Sequence, residues 1–142
     1  MKYLVTGGAG FIGSHISRAL LAQGHQVAII DDLSNSKKDN IPSGAEFYQG
    51  SITDTNLLKA SLRDVDGVFH LAALVSVPKS MEDPKYTLEV NALGTLRILE
   101  AMRELKIKKI VYSSTSAVYG DQGSVKNTED MTPQTLSPYA YA

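Results

Sequence analysis

Gly7, Gly10 and Gly13 fall as G-x-x-G-x-x-G within Thr6-Gly7-Gly8-Ala9-Gly10-Phe11-Ile12-Gly13, between the apolar run Tyr3-Leu4-Val5 and a helical pattern that begins near Phe11. Strand, glycine turn and helix start are the parts of a pyrophosphate site. The first glycine permits a tight turn, the second lets backbone N–H groups approach the phosphates, and the third lets the helix pack closely on the strand. The helix N-terminus then faces the anion with free N–H groups and partial positive charge. Asp31 follows the apolar pair Ile29-Ile30, roughly 20 residues past the glycines, where an acid binds ribose hydroxyls. A glycine run alone also serves as a plain turn; the flanking strand, helix and acid give this one its chemistry.

The elements that must position these residues are readable from periodicity. Between Gly10 and Gln23 the apolar residues Phe11, Ile12, Ile16, Ala19, Leu20 and Ala22 form a helical stripe that Gly24 ends as a C-cap. Gln26 to Ile30 is a second strand, and Asp31 to Ser36 is polar and turn-forming. Lys37-Lys38-Asp39 reads as a solvated face, and Ala45 to Tyr48 as a short third strand ending at Gly50. Asp54 is placed as N-cap or first-turn acid of a helix from Asn56 to Arg63, with Leu57, Leu58 and Leu62 on one face. Gly67 to Leu71 is a fourth strand, with Ala72 and Ala73 at its carboxyl end, the edge where open parallel sheets bind ligands. From Pro84 to Leu105 an amphipathic pattern predicts the longest helix, its apolar face interrupted by Asn91 and Gly94. Ile107 to Ser113 is a fifth strand, and a polar loop from Gly120 to Pro138 leads into a further helix. Strands alternating with helices predict an α/β fold, a doubly wound parallel sheet of Rossmann-like type with right-handed crossovers and strand order 3-2-1-4-5.

At 142 residues the chain is one domain's worth, 1–142, long enough to bury a sizeable core. Hydrophobic residues at 43% and charged residues at 20% suit a soluble globular protein. A net charge of −1, with Lys and Arg scattered, argues against a nucleic-acid partner. Without Cys there is no disulfide, thiolate metal site or Cys nucleophile, and no metal is expected. No apolar run reaches the ~18 residues of a membrane span, and a cytoplasmic enzyme fits these facts. His70, a lone His at a strand end, reads as a hydrogen-bonded core residue, and His15 and His25 as helix and turn residues.

Over essentially its whole length the chain resembles the extended short-chain dehydrogenase/reductase family, in particular the nucleotide-sugar branch typified by UDP-glucose 4-epimerase. Six ordered stretches carry the resemblance: Thr6 to Gly13, Asp31 to Ser36, His70-Leu71-Ala72-Ala73, Asn91-Ala92-Leu93-Gly94-Thr95, Ser113 to Gly120, and Ser137-Pro138-Tyr139. It implies that NAD is the cofactor and that Phe11 and Ile12 give backbone contacts to its pyrophosphate. Asp31, Asp32, Asn35 and Ser36 would hold the adenosine ribose. Leu71, Ala72, Ala73 and Ser113 would line the cofactor's path, and Asn91 would be a further cofactor-side or structural contact. Where the family commonly has Gly-Asp-Ile this chain has Gly50-Ser51-Ile52, so at the adenine a hydroxyl stands in for a carboxylate and accepts more weakly. NAD is favoured over NADP because Asp31 would repel a 2′-phosphate and no Arg stands in the loop after it.

By the same resemblance Tyr139 is the catalytic tyrosine, whose phenolate takes a proton from a sugar hydroxyl while hydride leaves the same carbon. A free phenol ionises near pH ~10, so the step needs positive charge nearby. The family draws it from the nicotinamide and from a lysine four residues on, which here would be position 143, past Ala142. The chain is therefore expected to stop before the catalytic helix and substrate lobe, and to be inactive as it stands. Thr115 matches the family's Ser/Thr that orients the reacting hydroxyl, with Ser114 and Ser116 as neighbours able to trade the role. The bland readings are a packing tyrosine and hydroxyls that satisfy a strand-end turn. Related dehydratases carry an acid pair after the Thr, and decarboxylating relatives one Glu, but Ser116 and Ala117 stand there. Reversible 4-epimerisation of a UDP-hexose or its N-acetyl form fits best. A dehydratase, decarboxylase or reductase, or a silent NAD-binding module, are the alternatives. The expected partners are a nucleotide sugar and, for the whole protein, a second copy paired through the helix from Pro84 to Leu105.

Overall fold

The computed structural model describes residues 1–142. Five strands, β1 (Lys2–Thr6), β2 (Gln26–Asp31), β3 (Glu46–Gln49), β4 (Gly67–His70) and β5 (Ile110–Tyr112), form one sheet in the order β3-β2-β1-β4-β5. Every pairing is parallel. The registers Thr6↔Ile30, Thr6↔His70, Asp31↔Gln49 and His70↔Tyr112 bring the strands' carboxyl ends level along one edge. The chain steps outward from β1 to β3 in one direction and then returns to place β4 on β1's other side. The crevice between β1 and β4 is thus a topological switch point, where open sheets bind ligands.

Alternation along the strands feeds two cores. Leu4, Ala28, Ile30 and Val68 face one side with Leu58 and Leu62 of α2 (Thr55–Ser61) and its C-cap, while Val5, Val27 and Ile29 face the other, against Ile16, Leu20 and Leu21 of α1 (Phe11–Ala22). Right-handed crossovers in opposite directions require helices on both faces. Each fully buried Val, Leu or Ile among them contributes roughly 1.5–3 kcal/mol, and the glycine loop follows directly on the buried end of β1.

Helix ends follow their sequence signals. Gly24, at φ +78°, closes α1 in a Schellman arrangement, with His25 N–H donating to Leu20 O (3.0 Å) and Gly24 N–H to Leu21 O (2.9 Å). Asp54 caps α2, its carboxylate accepting from the N–H groups of Asn56 (3.0 Å) and Leu57 (3.1 Å). Of the predicted stripe on α1 only Ile16 and Leu20 pack on the sheet; Ala19 and Ala22 are exposed, and so is its start. Phe11 and Ile12 are 80% and 57% exposed, and the residues α1 buries are Gly13, Ser14 and Ser17. Close packing of Gly13 and the two serines on the sheet turns the first apolar pair outward.

The long predicted helix is present but composite: α4 (Pro84–Leu88), a π turn (Glu89–Leu93) and α5 (Gly94–Glu104). A short helix not foreseen, α3 (Val77–Glu82), precedes it. Asp83 ends α3 and caps α4, its carboxylate accepting from Tyr86 N–H at 2.9 Å, and Pro84 opens α4 where its missing N–H costs nothing. β5 is shorter than Ile107 to Ser113, because the four residues of β4 offer it only three partners. The last element, α6 (Pro138–Tyr141), is capped by Ser137. No helix is long and apolar enough to cross a membrane.

Candidate functional site

Gly7 carries φ +67°, and a Cβ there would lie 2.9 Å from the Ala72 nitrogen. A Cβ on Gly13 would overlap the Gly7 carbonyl oxygen. Both positions therefore admit only hydrogen, one for the turn and one for helix–strand packing. Gly10 donates its N–H to Gly7 O (3.1 Å) and serves as N-cap without a capping side chain. The first backbone bond of α1 is Ser14 N–H to Gly10 O, so the N–H groups of Phe11, Ile12 and Gly13 lack backbone acceptors. With no acid in the first turn, three donors and the helix dipole converge on one spot, a cradle of the shape and sign a pyrophosphate needs.

Asp31, 9% exposed, ends β2 beside this turn. One carboxylate oxygen accepts from Ala9 N–H (3.0 Å), the other from Leu33 N–H (2.9 Å) and the Ser36 hydroxyl (2.7 Å). The acid thus ties the glycine loop to the Asp31–Ser36 loop and forces Leu33 to φ +59°, a conformation that costs a non-glycine residue roughly 1–2 kcal/mol. A carboxylate has about four lone-pair positions, so one acceptor site stays open toward the groove. Asp32 accepts from the Ser34 N–H and hydroxyl. Ser51 accepts from the N–H and hydroxyl of Thr53 and lies beside the buried Ile52.

These pieces share one wall. A groove of about 540 Å³ runs along the sheet's carboxyl edge, from Asn35 and Ser36 past the glycines and Ser51 to Leu71–Ala73, Ser113 and Tyr139. Every residue that sequence reasoning placed at a cofactor lines it except Asn91. Asn91 is 7% exposed behind the wall, its amide oxygen accepting from Leu74 N–H (2.8 Å) and its NH₂ donating to Leu74 O (3.2 Å). Its influence on a ligand passes through the backbone it holds. The groove also takes in Leu74, Val75, Tyr86 and Val90, which sequence reasoning did not place at a cofactor. Tyr86 and Val90 fall within the apolar pattern from Pro84 to Leu105, and only the tertiary placement of α4 and the π turn brings them to the groove.

At the far end, Tyr139 sits in the first turn of α6, which packs on α3 and α4. Ser113 and Ser114 stand on the groove wall at the carboxyl end of β5, while Thr115 does not line it. The Thr115 oxygen accepts from Ala117 N–H (3.2 Å) and caps the 3₁₀ turn Ser116–Tyr119, leaving its proton free to donate. His70, 2% exposed, lies beneath the wall between the hydroxyls of Thr6 and Thr95, and burial pushes its pKa down to about 4.

The model of the NAD dependent epimerase/dehydratase family matches residues 3–142. The chain belongs to that family. It is 45% identical to the UDP-glucose 4-epimerase of Neisseria meningitidis serogroup C, over 97% of its own length and 44% of the relative's. Among solved structures, the UDP-glucose 4-epimerase of Thermus thermophilus in complex with NAD superposes with a TM-score of 0.93 at 43% identity, covering 99% of this chain and 47% of that one. A UDP-N-acetylglucosamine 4-epimerase from Methanobrevibacter ruminantium, in complex with UDP-N-acetylmuramic acid, gives 0.90 at 39% identity, covering 99% and 46%. The chain thus spans less than half the length of the relatives it matches.

Proposed function

We propose that this chain is the dinucleotide-binding part, residues 1–142, of a cytoplasmic, NAD-dependent nucleotide-sugar 4-epimerase acting on a UDP-hexose or its N-acetyl form. The observation that carries the reading is the single groove joining an open helix N-terminus, a ribose-side acid, a small-residue shelf and a tyrosine. NAD fits the residues present: the glycine cradle excludes any Cβ, and Asp31 disfavours a 2′-phosphate at the ribose. When bound, NAD supplies reversible hydride acceptance at the sugar's fourth carbon.

The chain's own residues do the rest. The N–H groups of Phe11, Ile12 and Gly13 hold the pyrophosphate, and Asp31 offers its free acceptor site to a ribose hydroxyl. Asp32, Asn35 and Ser36 line the ribose side, and Ser51 and Ile52 flank the adenine. Leu71, Ala72, Ala73 and Ser113 form the surface along which the cofactor lies. Tyr139 removes and returns the proton of the 4-hydroxyl, and Thr115, one residue beyond the Ser113–Ser114 wall and with its proton free, orients that hydroxyl where the sugar extends past the groove. No acid stands at Ser116 or Ala117 to expel a second group, which favours epimerisation over dehydration. In the whole protein the exposed face of α4 and α5 pairs with a second copy.

Calorimetric titration of NAD and NADP tests the first half: NAD binds and NADP binds far more weakly. Interconversion of UDP-glucose and UDP-galactose by the whole protein tests the second, with Tyr139→Phe lowering kcat by a factor on the order of 10²–10⁴. A protein that binds neither dinucleotide has a glycine turn and no site, and the enzyme reading fails.

A further inference from the structure

We propose that His70 is a positioning residue for the dinucleotide: fixed as the Nε2–H tautomer between Thr6 and Thr95, it aims the Thr6 hydroxyl so that the Thr6 oxygen holds the Leu71–Ala72 shelf. This rests on the nucleotide-site reading above and adds a part to it.

Two independent counts of donors and acceptors give the same tautomer. At one end, Thr95 Oγ1 lies 2.6 Å from Asn91 O and 2.9 Å from His70 Nε2. A carbonyl can only accept, so the Thr95 proton is spent on Asn91 and its oxygen must receive a proton from Nε2. At the other end, Thr6 Oγ1 lies 3.1 Å from Leu71 N, 3.0 Å from Ala72 N and 2.7 Å from His70 Nδ1. The Leu71 N–H is shared with the Thr6 carbonyl at 3.3 Å. Two N–H groups fill the lone pairs of the hydroxyl, which leaves its own proton for Nδ1. An Nδ1–H ring, or a charged one, would aim a third donor at an oxygen already filled. It would also leave the Thr6 proton unused in a site closed to water. A low pKa, to which burial contributes, agrees with a ring kept neutral.

The relay therefore has a direction. It begins at the Asn91 carbonyl in the π turn and passes through Thr95, His70 and Thr6 to the backbone N–H groups of Leu71 and Ala72. The Asn91 side chain grips Leu74 from the other side. Three amides of the segment 71–74 are thus held by side chains where the β4 ladder ends, the first of them shared with the Thr6 carbonyl. The Gly7 turn has no slack against this segment, since a Cβ on Gly7 would lie 2.9 Å from the Ala72 nitrogen. The height of the shelf and the room left for the pyrophosphate turn are therefore set together.

The test uses the protein with ¹⁵N-labelled histidine. Long-range imidazole spectra at neutral pH, with His70 assigned by its loss in His70→Gln, are expected to show a neutral Nε2–H ring; an Nδ1–H ring or an imidazolium overturns the proposal. Thr95→Val keeps shape and removes the acceptor, and His70→Phe keeps a ring and removes both nitrogens. In both, NAD Kd should rise about tenfold, the worth of one net hydrogen bond, while His70→Gln, which still donates and accepts, stays near wild type. Amide exchange at Leu71 and Ala72 should quicken by about the same factor in Thr95→Val. Wild-type binding of NAD with both readouts unchanged in Thr95→Val overturns the proposal, whether or not His70→Phe folds. A wild-type protein that does not bind NAD sinks the nucleotide-site reading instead, and the tautomer and amide exchange still decide the relay.

Discussion

Thr6 is the last residue of β1, fully buried, and its hydroxyl serves a histidine and two backbone amides at once. Thr6→Val removes the oxygen with little change of volume, leaving His70 Nδ1 and the Ala72 N–H without their partner while the Leu71 N–H keeps the Thr6 carbonyl, so stability should fall by about 1–3 kcal/mol, with Thr6→Ser far milder. Urea denaturation checks this as a lower midpoint at unchanged slope. His70 adds a pH dependence whose sign is fixed by its shift. The folded-state value is about 4 against 6.5 for a free imidazole, so between those values the unfolded chain binds the extra proton. Stability is then complete above pH 6.5, falls as pH drops toward 4, and levels off below, with a total loss of about 3 kcal/mol. The exposed Glu46, whose pKa Lys2 holds below its usual 4.5, adds its loss only further down. Denaturation midpoints from pH 7 to 4.5 should decline in wild type and stay flat in His70→Gln; a flat wild-type profile would contradict a buried neutral ring. Sequence alone marked His70 as a core residue, which it is. Its partners were not legible, because Thr6 and Thr95 are 64 and 25 residues away and nothing in a strand pattern says which hydroxyl a ring will meet.

The elements that were legible are those whose residues answer to one requirement. β1 and β2 are buried on both faces, so their apolar runs admit no other reading, and the glycine turn between β1 and α1 is dictated by contacts too close for any side chain. Gly13→Ala would drive a methyl group into the Gly7 carbonyl oxygen. We expect it to abolish measurable NAD binding and to lower stability, while Gly24→Ala, with open space around it, costs only the about 1 kcal/mol of a non-glycine residue at positive φ; titration and thermal melts of the pair separate site damage from backbone strain. The Asp54 cap was read correctly, and Asp54→Ala should cost about 1 kcal/mol and leave NAD affinity alone. What escaped was the break inside the long helix. Apolar spacing survives a π turn, so the pattern from Pro84 to Leu105 looks continuous, yet the extra residue rotates Asn91 onto Leu74 and seats Gly94 where a Cβ would lie 2.7 Å from the Ile52 Cδ1. Asn91 and Gly94 were the only hints, legible as interruptions but not as their cause. For Thr115 the structure shows the turn cap, the second of the two roles its residue type allowed.

Across the whole molecule, two apolar surfaces stay uncovered, and they make different predictions about association. Leu93, Leu96 and Leu99 recur every third residue along α5 and its approach, each 45–50% exposed. Val111 and Tyr112 on the outer edge of β5 are 59% and 52% exposed beside backbone groups with no strand partner. Contiguous apolar area of this kind draws partners, and an open strand edge pairs with any other open edge. The helical face is the one suited to a closed pair, since two copies can lay the same stripe against each other and bury it fully, whereas edge pairing leaves each sheet face as it was. Sedimentation velocity should therefore report a dimer that Leu96→Glu returns to monomer and Val111→Lys does not. Restoration by Val111→Lys alone would transfer the contact to the β5 edge. A wild-type protein that sediments as a monomer at high concentration would show that the stripe is covered in some other way, and the pairing of α4 and α5 would have to be given up.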